Sequence, residues 1–188
     1  MDSRFHGGDR GVRARQPMTA ALASSPLIPL DRVPPDAVEA LLDQAFGTDR
    51  HRRTAYRIRA GMAAIPGLSF AALDDDGALL GSLQSWPVAL HGQTGETPLV
   101  LVGPVAVAPA RQRGGLGRVL MAELMARADA ADPLVLIGDP EYYGRFFGFS
   151  AEATAGWEAP GPVERRRLLA RTGGRTLPGA GMLGPRTG

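Results

Sequence analysis

The chain has 188 residues, of which 44% are hydrophobic and 21% are charged, a composition typical of one globular domain with its own core. Cysteine is absent, which excludes disulfides, thiolate metal ligands and a cysteine nucleophile; no apolar run approaches the roughly 20 residues of a membrane-spanning helix. The net charge of +2 is small for a nucleic-acid-binding protein.

The two ends of the chain differ in composition from its middle. Residues 1–20 are rich in Arg and Gly, and residues 172–188 are rich in Gly and Pro, so both are predicted to be disordered tails around a domain at 21–171. Residues 19–30 are mildly apolar, but they are too short, and too interrupted by proline, for a signal sequence. We therefore expect a cytoplasmic protein.

The first half of the chain predicts one short strand and two helices. Residues 27–30 form an apolar piece that suits a strand. Residues 35–46 have apolar side chains at helical spacing and stop at Gly47, which predicts an amphipathic helix. Residues 50–64 predict a second helix, charged on one side and ending before a proline.

Residues 68–90 predict a hairpin, because "DDDG" at 74–77 separates two apolar runs. Pro87 lies late in its second strand, where a bulge or a sheet edge is expected. A further strand is predicted over 97–109.

The second half of the chain predicts a helix after residue 117, with one apolar stripe formed by Leu120, Met121, Leu124, Met125 and Ala128. A short buried strand at 133–138, a helical turn at 139–147 and an irregular strand from 148 follow. Residues 163–171 suit either a strand or a short helix. The order of elements predicts a mixed α/β fold with a partly antiparallel sheet.

The chain contains no lysine, so its permanently charged basic side chains are all arginines. The arginines form two clusters: Arg50, Arg52, Arg53, Arg57 and Arg59, and then Arg165, Arg166 and Arg167. We interpret these clusters as solvated faces or subunit contacts. The alternative is an interaction protein that binds RNA or a ribosomal partner through them.

The stretch "RQRGGLG" at 111–117 lies between a predicted strand and a predicted helix. Glycines let consecutive amides turn inward, and the first amides of the helix lack partners within the helix. The helix dipole and the nearby arginines add positive charge. A phosphate or pyrophosphate is the expected occupant.

Two common phosphate-binding motifs do not match this loop. A P-loop needs a lysine, which the chain lacks, and the dinucleotide fingerprint has Leu120 where its third glycine should be. The pattern Arg/Gln-x-x-Gly-x-Gly/Ala is matched by Gln112, Gly115 and Gly117, after a strand end at 105–109.

These residues resemble the GNAT superfamily of acyl-CoA-dependent N-acyltransferases. The resemblance covers "GPVAVAPARQRGGLGRVLMAEL" at 103–124 and "LVLIGDPEYYGRFFGFS" at 134–150, and the order of elements agrees from 27 to about 170. The sequence around the tyrosines, "GDPEYYGRFFGF", resembles most a bacterial subgroup of predicted N-acetyltransferases. The implied fold is α+β, with a mostly antiparallel sheet whose central strands, ending at Val107 and Ile137, splay apart between flanking helices.

The resemblance also implies how the donor, acetyl-CoA, would bind. The pantetheine arm would pair with the main chain of Val105, Ala106 and Val107. The pyrophosphate would be held by the loop that contains Gln112, Arg113, Gly114, Gly115, Leu116, Gly117 and Arg118.

The implied reaction is direct attack of a neutral primary amine on the thioester, without a covalent enzyme intermediate. Tyr143 would protonate the CoA thiolate, with Tyr142 as the alternative acid, and an N–H of the splayed strand, such as that of Val107, would stabilise the oxyanion. Candidate bases are Glu96, Asp139 and Glu141, although each also suits a turn or a helix cap. The family's usual tyrosine register falls on Gly144 here, which leaves a non-catalytic acyl-CoA-binding module as a rival hypothesis.

The acceptor is expected to be a small-molecule amine or the amine of a peptide or protein, and no motif identifies it. The resemblance allows a homodimer, and no metal, membrane or nucleic acid is expected as a partner. Trp86 and Pro87 either pack in the core or line the acceptor side.

Overall fold

The computed structural model describes residues 27–130 and 132–187. Their strands are β1 (Leu27–Pro29), β2 (Phe70–Leu73), β3 (Leu79–Gly92), β4 (Gly95–Val107), β5 (Leu134–Ile137), β6 (Gly156–Glu158), β7 (Leu168–Arg171) and β8 (Ala180–Pro185). Their α-helices are α1 (Pro35–Phe46), α2 (Thr54–Ile58), α3 (Leu116–Arg127) and α4 (Pro140–Phe147). None of the helices in this part of the chain is long and apolar enough to cross a membrane.

All eight of these strands belong to one sheet. Its main path runs β1-β2-β3-β4-β5-β7, and only the β4–β5 pair on that path is parallel. The second half of β3 pairs with β8, which in turn holds β6 in parallel. The predicted mixed, mostly antiparallel fold is therefore confirmed.

β4 and β5 separate after only two paired positions, Val100 with Leu134 and Leu101 with Val135. Beyond them β4 continues along β3 to Val107, while β5 continues along β7 to Ile137. The register of the β3–β4 pair shifts at this point, so that Gly103 and Pro104 both lie opposite Gln84. Such a bulge bends the strand that carries it, and this one lies just after the point where β4 and β5 part.

Helices cover both faces of the sheet, because successive side chains of β4 point alternately toward α3 and toward α1. Val105 and Val107 point toward the cluster that contains the apolar face of α3, formed by Leu116, Leu120, Met121 and Leu124. Ala106, which is fully buried, points to the other face, where it packs with Val38, Leu41 and Leu42 of α1. Because α1 and α3 pack on opposite faces, the strands between them are buried on both sides.

The prediction of a disordered tail over 172–188 was wrong for 180–185, which form β8. Leu183 is 1% exposed and packs with Leu90. Gly181 allows close approach to β3, since a Cβ there would lie 2.9 Å from the His91 carbonyl oxygen. Gly181, one of the glycines that indicated disorder, is thus needed for packing. The tail predicted at 1–20 lies outside the described residues.

The helix predicted over 50–64 is also shorter than expected. A 3-10 turn at Thr48–Arg52 precedes α2, and Arg53 between them has extended backbone angles. The Arg50 side chain, in the 3-10 turn before this break, points inward and is 2% exposed.

The segment at 163–171 contains both a short helical turn and a strand, the two structures that its sequence suits. Residues 165–167 form a 3-10 turn and the following residues form β7.

Candidate active site

Two cavities open beside the gap between β4 and β5. The first, which we call the splay cavity, has a volume of about 570 Å³ and lies between α2, β4 and the end of β5. The second, the loop cavity, has a volume of about 460 Å³ and lies between β4, the 112–118 loop and α4. Phe46, Val105 and Tyr143 line both cavities, so the two meet at these residues.

The loop cavity is built by a short turn that leads into a helix. A 3-10 turn at Pro109–Gly114 ends at Gly115, whose φ of 77° is the left-handed conformation that glycine tolerates best. α3 begins at the next residue, so its unpaired first amides and the positive end of its dipole face this region. Arg113 and Arg118 line the cavity, and no carboxylate is among its described lining residues. The electrostatics favour an anionic ligand.

Most of the predicted donor-binding residues line the loop cavity, namely Val105, Val107, Gln112, Arg113, Gly115, Gly117 and Arg118. Gly114 ends the 3-10 turn outside the cavity lining. The side chains of Ala106 and Leu116 point into the core. Only the main chain of these last three residues is suited to contact a ligand, which is also what the resemblance implied for them.

The free edge of β4 continues the same groove. Past Leu101, β4 pairs with β3 on one side and with no described strand on the other. Its main-chain groups on that side are available to an extended ligand, as the edge of a sheet is available to an added strand.

The two tyrosines lie in the first turn of α4. Asp139 caps this helix: its carboxylate accepts the N–H of Glu141 at 2.9 Å and that of Tyr142 at 3.5 Å. The rings of Tyr142 and Tyr143 are perpendicular, with centroids 5.0 Å apart. Tyr142 faces the loop, since a Cβ built on Gly117 would lie 4.0 Å from its hydroxyl oxygen. Tyr143 alone of the two lines both cavities.

Burial changes the acidity of both phenols. Burial, with a smaller contribution from Tyr142, raises the pKa of Tyr143 to about 12. Burial also raises the pKa of Tyr142, against the opposing effect of Arg118. Both phenols are therefore protonated at neutral pH, which is the state that a proton donor needs.

The splay cavity contains an arginine that the sequence did not single out. Arg59 is 6% exposed, and its guanidinium carbon lies 4.1 Å from the ring centroid of Tyr56 and 4.0 Å from that of Trp86. Its Nη1 donates to the carbonyl oxygen of Gly103 at 3.1 Å, which also accepts the Trp86 indole N–H at 2.8 Å. Burial lowers the pKa of Arg59 to about 10.

A second buried arginine fixes the wall around Arg59. Arg50 donates to Glu39 and, at 2.7 Å, to Asp43, both on α1, and to the hydroxyl of Tyr56 on α2. The arginine cluster of residues 50–59 is thus not simply a solvated face, as we had expected. Two of its five members hold α1, α2 and the bulge of β4 together.

The three candidate bases lie in different places. Asp139 lines the splay cavity, and hydrogen bonding with Glu141 lowers the pKa of its carboxyl. Glu141 lines neither cavity, and Glu96 binds Thr187 at the distant end of β4. Within residues 27–130 and 132–187, no three His, Asp or Glu side chains are grouped so that they could hold a metal ion.

Comparison with known proteins agrees with this geometry. The family model for the acetyltransferase (GNAT) family matches residues 36–149, which include α1, β4, the loop, α3 and α4. The chain belongs to this family, as its sequence predicted. No protein of curated function matches the sequence significantly.

Solved GNAT structures share the fold. A GNAT N-acetyltransferase, YhbS from Escherichia coli in complex with CoA, is 22% identical with a TM-score of 0.64, covering 96% of this chain and 94% of that one. A GNAT acetyltransferase from Brucella melitensis in complex with acetyl-CoA is 27% identical with a TM-score of 0.53, covering 82% and 91%. A histone acetyltransferase HPA2-related protein from Corynebacterium glutamicum is 17% identical with a TM-score of 0.52, covering 78% and 94%.

Proposed function

We propose that this protein transfers the acetyl group of acetyl-CoA to a primary amine by direct attack in a ternary complex. The observation that carries the proposal is the meeting of the two cavities at Val105 and Tyr143. A donor in the loop cavity and an acceptor in the splay cavity would bring their reacting atoms together there. Membership of the GNAT family and the CoA and acetyl-CoA complexes of similar structures support this choice of donor.

The loop cavity suits the phosphates and the pantetheine arm of CoA. The amides that open α3, together with Arg113 and Arg118, would bind the pyrophosphate. The pantetheine arm, which carries amide groups of its own, would extend along the free edge of β4 at Val105 and Val107. Its thioester would then reach the junction between the cavities.

The chemical step needs little beyond positioning, because a thioester is already activated. The amine nitrogen attacks the carbonyl carbon and forms a tetrahedral oxyanion, for which the main-chain N–H of Val105 is our preferred donor since Val105 borders both cavities. The C–S bond then breaks, and the departing thiolate takes the phenolic proton of Tyr143. The extra proton of the amine leaves to water or to a carboxylate in the wall of the splay cavity, either Asp139 or Glu164. A proton from solvent then restores the Tyr143 phenol.

Two measurements on the full-length protein test this function. Isothermal titration calorimetry with acetyl-CoA should give saturable 1:1 binding, and a panel of amines should support release of free CoA thiol. Absence of acetyl-CoA binding would refute the proposal. Binding without turnover on any amine would instead favour the non-catalytic acyl-CoA-binding module.

A further inference from the structure

Arg59 is a buried cation, and among the described residues no carboxylate lies within ion-pair distance of its guanidinium. Its neighbour Arg50, which is also buried, has ion pairs with Glu39 and Asp43. Arg59 is in none of the ion pairs of the described residues; its guanidinium donates to the Gly103 carbonyl, and hydrogen bonding with Tyr56 opposes the fall in its pKa. A buried charge without a counter-ion is costly, as the lowered pKa of this guanidinium reflects.

The guanidinium of Arg59 is also held in one orientation. The rings of Tyr56 and Trp86 cover it at about 4 Å, and Arg50 holds the Tyr56 hydroxyl. Arg59 lines the splay cavity, so the N–H groups of its guanidinium that the protein does not bind are available to a ligand there. Such a fork matches the two oxygens of a carboxylate.

The surrounding charge has the same sign. Five arginines line the splay cavity, against two carboxylates, Asp139 and Glu164. This excess of positive charge attracts an anionic acceptor and disfavours polyamines and other polycations.

The distance to the reaction centre limits the size of the acceptor. Arg59 binds the carbonyl of Gly103, which is two residues before Val105 in β4. Two extended residues span at most about 7 Å. A carboxylate at Arg59 and an amine at the thioester are therefore within the length of one small molecule.

We infer that the acceptor is a small amino carboxylate, such as an amino acid, whose carboxylate is bound by Arg59 while its amine attacks the thioester. This inference rests on the proposed function and narrows its substrate class. Arg59 is then a specificity-determining residue of the splay cavity.

Matched pairs of amino acids and their carboxamides test the inference, because each pair differs mainly in the charged group. The amine of the carboxamide has a lower pKa than that of the acid, so more of the carboxamide is in the neutral, reactive form. This difference favours the carboxamide and therefore works against the expected result. The wild-type protein should acetylate the acid with a kcat/KM about 10- to 100-fold above that of the amide. In Arg59→Gln this advantage should disappear, because the rate with the acid falls far more than the rate with the amide, while the Kd of acetyl-CoA stays within about twofold.

Two further variants separate recognition from folding. Arg59→Lys should recover only part of the preference, since an ammonium lacks the planar fork. Arg32→Gln, which removes an exposed arginine of the 3-10 turn after β1, should retain all of it. Equal rates for acid and amide in the wild type, or an equal loss of both in a folded Arg59→Gln protein, would overturn the inference while leaving the acetyltransferase function intact.

A binding experiment keeps the inference testable even if no amine is acetylated. Ligand-observed NMR with the CoA-loaded protein should detect the amino acid but not its carboxamide, and only when Arg59 is present. Binding of both compounds, or of neither, would overturn the inference. Failure of turnover across the whole amine panel would count against the proposed function alone.

Discussion

The ring of Tyr143 packs directly on the Cα atom of Gly138. A Cβ at Gly138 would lie 2.4 Å from Cε2 and 2.7 Å from Cδ2 of that ring. Gly138 immediately follows β5, and its N–H donates to the Arg167 carbonyl at 2.9 Å, so its own position is fixed by the neighbouring strand. This contact holds the phenol at the junction of the two cavities.

Gly138→Ala is therefore expected to displace Tyr143. Because a shift of about 1 Å can cost about 100-fold in rate, kcat should fall by roughly that factor in a protein that remains folded by circular dichroism. Gly67→Ala is the matched control, since a Cβ there meets nothing within 4 Å. Unchanged kcat in Gly138→Ala would mean that the position of Tyr143 does not matter for the reaction.

Tyr143→Phe should lower kcat by about 100-fold or more, because the thiolate would leave without its proton donor. The Kd of acetyl-CoA, measured by calorimetry, should change by less than about threefold. Tyr142→Phe should have a much smaller effect on kcat, since Tyr142 borders only the loop cavity. The reverse order of the two variants would identify Tyr142 as the acid.

The pH dependence of kcat should show no alkaline loss of activity below about pH 10. A general acid acts while it is protonated, and burial raises the pKa of Tyr143 to about 12, so the phenol keeps its proton throughout this range. The rate should rise with pH as the bound amine loses its proton and then level off. A fall in kcat between pH 8 and pH 10, at constant fold stability, would contradict Tyr143 as the acid.

Arg118→Gln should weaken acetyl-CoA binding by about tenfold at low salt, because a charge-assisted contact to phosphate is lost. The loss should shrink as ionic strength rises and screens that contact. Arg118 also lies over the Phe146 ring, with its guanidinium carbon 4.4 Å from the ring centroid, so circular dichroism must show that α4 is intact. Arg32→Gln serves as the control for a loss of net charge alone.

Leu183→Ala should destabilise the protein by about 2–5 kcal/mol in chemical denaturation, as expected for truncation of a buried leucine. Met182→Ala, at the neighbouring position, removes a side chain that is 39% exposed and should cost far less. Equal effects of the two substitutions would mean that β8 does not pack as described.

The sequence predicted the parts of the structure that depend on local pattern. The hairpin of β2 and β3, the loop before α3 and the capped helix of the tyrosines each have a turn or cap signal within a few residues of an apolar repeat. The loop and the tyrosines come together because β4 and β5 are parallel neighbours, an arrangement that the family resemblance supplied.

The parts that the sequence did not predict depend on contacts between distant segments. Arg59 is buried because α2 packs beside the bulge of β4, and nothing in residues 50–59 distinguishes it from the exposed Arg57. β8 is a strand because it pairs with β3 and β6 and because Leu183 packs with Leu90 in the core. A single sequence shows which residues occupy such positions, but it does not show the distant segment against which they pack.

The Arg50 network sets a condition for any redesign of substrate choice. Residues 50–59 contribute to the wall of the splay cavity and not to that of the loop cavity, so residues 48–59 could be grafted from a homologue without altering the loop that begins α3. Such a graft must bring Glu39 and Asp43 of α1 with it, because Arg50 would otherwise lose both counter-ions and release the Tyr56 ring that covers Arg59. The transferable module is thus the whole of residues 35–59.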